Sequence, residues 1–261
     1  GVDLDVAFKA GQLIARKAEA GNLSASIKTH DGVLTVDADS GQLSGGQFDM
    51  DLMADARGDL YNAKLVFKIE KMEIEQVPEL RNKDLPIRGQ INVDIGLAGQ
   101  GKSLKQMLAG ANGSVFMSAS DAYIPAKGFD FLTQSIISQI FRVVSQKKKL
   151  EYHDIKCGLI GFRVIDGAAI SRDTIVIKTP EVAYLVRGGL HFEDESIVLA
   201  IQSKALKGFG VSAASLVPSL RVVGTLTEPR RSEPDPEGLL KTGATWGLAA
   251  ITAGGWIVAQ G

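Results

Sequence analysis

Ile91-Asn-Val-Asp-Ile-Gly-Leu-Ala-Gly-Gln-Gly-Lys-Ser103 admits two folds. Its second part, residues 96–103, satisfies the phosphate-loop pattern G-x-x-x-x-G-K-[ST], which belongs between a parallel strand and a crossover helix. Its first part alternates Ile91, Val93, Ile95 and Leu97 with Asn92 and Asp94, the mark of a strand with one dry and one wet face. A phosphate-loop strand is dry on both faces. The short helix that the spacing predicts from about Ser103 to Ala109 is stopped by Gly110 and Gly113, too soon to form a crossover. The nearest apolar run ending in an aspartate that might hold magnesium, Phe162-Arg-Val-Ile-Asp166, carries an arginine in its middle. We therefore read residues 96–103 as a turn and helix cap with no nucleotide, and the surrounding sheet as antiparallel.

Working outward, the same alternation recurs at Val2, Leu4, Val6 and Phe8, at Phe48, Met50, Leu52 and Ala54, over 61–69, at Ile175 and Ile177, and at Val182, Tyr184 and Val186. Glycines at 11, 21, 32, 41, 45 and 58 predict turns about every ten residues, as in a meander. One stretch switches to helical spacing: Phe129, Leu132, Ile136, Ile137, Ile140, Phe141 and Val144 predict an amphipathic helix over 129–146. Strands resume at Asp154 and continue to about Leu226. Residues 228–241, rich in proline and charge, predict a linker, and 242–261 contain no charged residue. That tail is long enough to span a bilayer at ~1.5 Å per residue, but its glycines and threonines suit docking on a partner or a membrane interface equally well.

Composition narrows the function. The chain has 261 residues, 29 basic against 30 acidic, and 6% aromatics, which argues against a nucleic-acid binder built on basic stripes and stacking rings. The single Cys157 has no intrachain disulfide partner. His30, His153 and His191 stand apart with no second histidine, cysteine cluster or carboxylate ladder at ligand spacing, so no metal site is expected. There is no G-x-S-x-G elbow, and Asp49 and Asp51 read as a hydrated outer face. An enzyme is not expected, nor any cofactor. Lys147, Lys148 and Lys149 fit either a helix C-terminus or anionic headgroups. With no initiator methionine and a strand pattern from Val2, the chain reads as part of something longer.

Four segments carry a resemblance to the C-terminal region of AsmA-family proteins of the Gram-negative envelope. Gly99-Gln-Gly-Lys-Ser103 with Leu108-Ala-Gly110 and Gly113-Ser-Val115 is similar to the family's "G-x-G-x-S, short helix, L-x-G, strand" segment. Cys157 followed by Phe162-Arg-Val-Ile-Asp-Gly167 resembles its "C-x-x-x-x-F-x-x-x-x-G" region. Gly188-Gly-Leu190 leading to Glu195-Ser-Ile-Val-Leu199, and Pro218-Ser-Leu-Arg-Val-Val-Gly-Thr-Leu226 with Pro229, resemble its two closing stretches. The resemblance implies an inner-membrane-anchored periplasmic protein, its anchor outside this chain, that moves phospholipid between inner and outer membranes or maintains the outer membrane. It also implies an architecture related to the chorein-type bridge-like lipid transfer proteins.

The expectation is a mainly β chain. Residues 1–227 form a twisted antiparallel sheet curved into an elongated groove, with one long amphipathic and one short helix. Its apolar lining would include Val93, Ile95, Leu97, Ile175, Ile177, Val182, Tyr184, Val186, Leu190 and Phe192, taking phospholipid acyl chains, with a membrane at one or both ends. A closed sandwich or barrel would give the same alternation. The alternative function is a scaffold or assembly factor for outer-membrane proteins that docks an envelope partner through 242–261.

Overall fold

A computed structural model of the chain describes residues 3–15, 18–77, 88–125, 152–180, 182–206 and 217–232. Alternating apolar and polar residues have no helical stripe to bury, and they pair edge to edge instead. The strands are β1 (Leu4–Ala15), β2 (Ala18–His30), β3 (Val33–Leu43), β4 (Gly46–Asp55), β5 (Tyr61–Glu73), β6 (Arg88–Gly101), β7 (Asn112–Pro125), β8 (Tyr152–Ile165), β9 (Ala168–Lys178), β10 (Val182–His191), β11 (Ser196–Ala205), β12 (Val217–Thr225) and β13 (Pro229–Ser232). All thirteen form one antiparallel sheet in strict chain order. β1 and β13 do not pair with each other, so the sheet is open and is not a barrel. Between β6 and β7 lies the six-residue helix α1 (Leu104–Ala109), and a 3-10 turn, Ile74–Gln76, follows β5.

Three of the hairpins turn on two residues with positive φ: Asp31-Gly32 at 46° and 77°, Ser44-Gly45 at 46° and 78°, and Asp166-Gly167 at 46° and 73°. These mirror-image turns match the twist of the strands they join. Gly11, Gly21 and Gly41, expected at turns, instead lie inside β1, β2 and β3. Gly41 shows the reason: it is paired with Phe48, and a Cβ there would sit 2.4 Å from the Phe48 ring. The glycine makes room for an aromatic side chain on the neighbouring strand.

Register shifts interrupt the ladders at Ala38/Gly41, Ile69/Met72, Arg88/Gln90 and Val186/Gly188, and Asn22, Lys71, Asp121 and Asp173 take positive φ within their strands. Each such bulge bends its strand and sharpens the local twist. At the α1 end of the sheet, backbone bonds stitch the turns together: Gly167 N–H donates to the Ala111 carbonyl at 2.9 Å, and Phe192 N–H donates to the Gly167 carbonyl at 3.0 Å. Asn112 Nδ2 donates to Asp166 Oδ1 at 3.3 Å, and Asp166 N–H donates to Asn112 Oδ1 at 3.2 Å.

The stretch expected as a linker from residue 228 begins as structure. Pro229–Ser232 is β13, paired with β12 from Gly224↔Pro229 to Arg221↔Ser232. Proline is tolerated as the first residue of an edge strand, where few ladder bonds depend on it. The helix expected over 129–146, Lys147, Lys148 and Lys149, and the tail 242–261 lie outside the described residues. Among the described residues no helix is long and apolar enough to cross a membrane.

Candidate functional site

Antiparallel partners point to the same face, so the register can be followed across the sheet. One row runs Phe48–Ile69–Val93–Met117–Ile160–Ile175–Val186–Ile201, each residue the direct partner of the next, from β4 to β11, and Val222, the partner of Leu199, carries the same face onto β12. A second runs Phe8–Ala25–Ala38–Met50–Phe67–Ile95–Val115–Phe162, from β1 to β8. A third, Val6–Ile27–Val36–Leu52–Leu65–Leu97, lies beside it. One face is therefore apolar across the sheet, with its rows perpendicular to the strands. At about 4.8 Å per strand, the face from Phe48 on β4 to Val222 on β12 extends for about 38 Å across the strands.

Burial along this face is graded. Leu4 and Val6 at the β1 edge are 48% and 39% exposed. Val36, Leu52, Leu65 and Val93 are half-buried. Ile175, Val186, Ile197, Leu199, Ile201 and Val222 are all under 7% exposed and form one core cluster, with Ile160, Phe162 and Leu190 packed against it. At the α1 end, Ala111, Val164 and Ala169 are buried with Leu97, Val115, Leu190 and Phe192 around them.

The residues expected to line a groove fall on this face. Val93, Ile95 and Leu97 share it with Ile175 and Ile177, and with Tyr184, Val186 and Leu190 through the β9–β10 ladder. Phe192 sits just past β10, against the cluster at the α1 end. Val182 has its backbone in β10, and its side chain lies outside the described residues. Missing from that set are Val36, Leu52 and Leu65, although alternation around Phe48 already marked β4.

The opposite face of β1–β6 carries the charges. Asp49 pairs with Lys68, Lys68 with Asp94, and Asp51 with Asp37 and Val66. At the end of β4, Arg57 Nε and Nη2 donate to the two oxygens of Asp55 at 2.9 and 2.7 Å. That side-chain bond, helped by the Arg57 backbone N–H, holds the Asp55 carboxyl down at about 2.

The phosphate-loop pattern resolves into a strand end and a cap. β6 runs through Gly96 to Gly101, antiparallel to both neighbours, and Ser103 Oγ accepts from Gln106 N–H at 3.3 Å to cap α1. The glycines serve packing: a Cβ on Gly99 would lie 2.3 Å from the Met107 carbonyl oxygen, and one on Gly101 2.6 Å from Gln106 Cβ. The histidines do not converge. His191 ends β10 and His153 begins β8, at opposite ends of the sheet. His30 is exposed, its Nδ1 3.1 Å from Asp3 and its Nε2 3.2 Å from Asp31.

The described residues define an open antiparallel meander with an apolar face that runs across its strands. The chain belongs to the AsmA family, whose family model matches residues 1–174. No curated protein and no solved structure matches it.

Proposed function

We propose that this chain is a non-enzymatic conduit for phospholipid in the periplasm of a Gram-negative envelope, held at the inner membrane and serving the outer membrane. The observation that carries this reading is the unbroken apolar face, which crosses every strand from β4 to β12. Bulges that bend the strands turn such a face into the inside of a trough, and acyl chains slide along its rows. Each buried methylene contributes about 0.8 kcal/mol, so a lipid is held without any specific residue or cofactor. A face of about 38 Å across the strands accommodates two acyl chains end to end, each about half of a 30 Å hydrocarbon core. AsmA membership supports the reading. In it, Val93, Ile95, Leu97, Ile175, Ile177, Val182, Tyr184, Val186, Leu190 and Phe192 contribute to the lining, and Lys147, Lys148 and Lys149 meet anionic headgroups.

The test is native mass spectrometry with lipid extraction on the whole purified chain and on Val93→Asp, whose side chain lies between Ile69 and Met117. Phospholipid bound to the wild type and lost from a folded Val93→Asp protein is the expected result. A folded, lipid-free wild type would overturn it and favour a scaffold for outer-membrane assembly that captures its partner through 242–261.

A further inference from the structure

The face opposite the long apolar rows changes sign along the sheet. On β1–β6 its lysines stand among carboxylates: Lys28 Nζ lies 3.8 Å from Asp5 Oδ2, and Lys68 is paired with Asp49 on one side and Asp94 on the other. From β8 onward the register brings cations to it. Arg163 and Arg230 sit in one row of partners, joined through Ile170, Gly189, Val198 and Val223. Arg187 and Arg221 sit in a second, joined through Ala200, and Lys178 is paired with Cys157 and Ala183. Among the described residues two carboxylates form ion pairs with these five cations: Asp173 with Arg187, and Glu228 Oε2 with Arg230 Nη2 at 3.3 Å. Arg163 and Lys178 are exposed and have no ion-pair partner among the described residues.

Apolar side chains lie between the cations. Leu159, Val176 and Leu185 are direct partners in a third row, and Leu159 and Phe116 are 40% and 44% exposed. By strand spacing and rise, Arg163, Lys178 and Arg230 mark out an area about 24 Å across the strands and about 20 Å along them. A soluble anion would pair with Arg163 or Lys178 and leave Phe116 and Leu159 in water. A bilayer surface with anionic headgroups meets both needs, with phosphates at the cations and the first acyl carbons against the apolar side chains.

We propose that the outer face of β8–β13 lies against an anionic phospholipid surface, with Arg163 and Lys178 as its free cations and Phe116 and Leu159 as its apolar contacts. The carboxylates on the same face of β1–β6 are repelled by such a surface, so the contact also orients the sheet, its C-terminal strands towards the membrane. This surface is on the opposite side from the apolar face and does not depend on whether that face holds lipid.

The single Cys157 provides the probe, since it sits on this face between Ser120 and Lys178. With a nitrobenzoxadiazole label on Cys157, the full chain is titrated with vesicles of phosphatidylglycerol and phosphatidylcholine in equal parts, and with vesicles of phosphatidylcholine alone. Emission is expected to rise with the first and not the second, and binding to weaken as salt is raised. Arg163→Gln with Lys178→Gln, both exposed and so compatible with folding, is expected to weaken binding about tenfold. Phe116→Gln with Leu159→Gln is expected to weaken it several-fold. Lys64→Gln with Lys68→Gln, on the carboxylate-bearing strands, is expected not to weaken it. Val93→Asp is expected to keep vesicle binding even where it loses bound phospholipid, which separates this surface from the conduit. Equal binding to the two kinds of vesicle, or binding unchanged in the Arg163/Lys178 or the Phe116/Leu159 variant, overturns the proposal. A rise in emission that needs no vesicles and grows with protein concentration assigns the face to the carboxylate-bearing face of a second copy, and overturns it as well.

Discussion

Asp55 and Arg57 close the corner between β4 and β5 with a two-pronged charged bond, the geometry in which guanidinium and carboxylate match best. The Arg57 side chain is the largest cause of the Asp55 shift and its backbone N–H, at 3.0 Å, the next. Arg57→Gln is therefore expected to bring the Asp55 pKa most of the way from about 2 back to 3.8, short of it by the remaining backbone bond. A carboxylate whose pKa is lowered on folding stabilises the fold above its unfolded value and loses that contribution as pH falls through the folded one. The corner therefore holds above about pH 4 and loosens towards pH 2, a window that closes in the variant. An NMR titration of the Asp55 carboxyl in both proteins measures this. Nothing in the sequence marks the pair beyond a two-residue separation, because the bond depends on how the chain turns after β4.

At the scale of elements, the strands were legible because their signal is periodic, and the glycines were not, because one residue type serves two purposes. Gly32 and Gly45 turn hairpins with φ near 77°, as read, while Gly41 makes way for a ring on the next strand. Composition cannot tell these apart; the cross-strand partner decides. Residues 96–103 bring a third case. A phosphate loop and this strand-to-cap junction both need glycine for close backbone approach, and alternation at Asn92 and Asp94 separated them. The packing assigns each glycine a different tolerance. A Cβ on Gly96 meets nothing within 4 Å, whereas one on Gly99 meets the Met107 carbonyl oxygen at 2.3 Å. Gly96→Ala is expected to leave stability unchanged or raise it by up to about 1 kcal/mol by restricting the unfolded chain. Gly99→Ala is expected to lift α1 off β6 and cost about 1–3 kcal/mol, a loss typical of core overpacking. Urea unfolding of the two variants gives the comparison. Equal losses would mean that the pattern is held for a reason other than the contact with α1.

Across the whole molecule, the face was legible and its depth was not. Parity within a strand says which side chains share a side, and it set Val93, Ile95 and Leu97 together with Ile175 and Ile177. It does not report how tightly the sheet encloses them, since that depends on bulges spread over strands far apart in sequence. The graded burial then divides the face into two regimes. Ile197, at 1% exposure, is enclosed among Ile201, Val186 and Val222, so Ile197→Ala should leave a cavity and cost about 2–5 kcal/mol. Leu65, half-buried between Leu52 and Leu97, has fewer neighbours to lose, and Leu65→Ala should cost less than about 2 kcal/mol. Lipid sharpens the contrast. A ligand that occupies the β3–β6 side stabilises the native state by its occupancy, so delipidation should lower the unfolding midpoint of the wild type and shrink the difference between it and Leu65→Asp. Ile197→Asp should fail to fold with or without lipid, because its charge has no water to reach. Thermal unfolding before and after delipidation measures all of these. If Leu65→Ala costs as much as Ile197→Ala and delipidation shifts neither protein, the apolar face is one continuous core, and no part of it is free to carry an acyl chain.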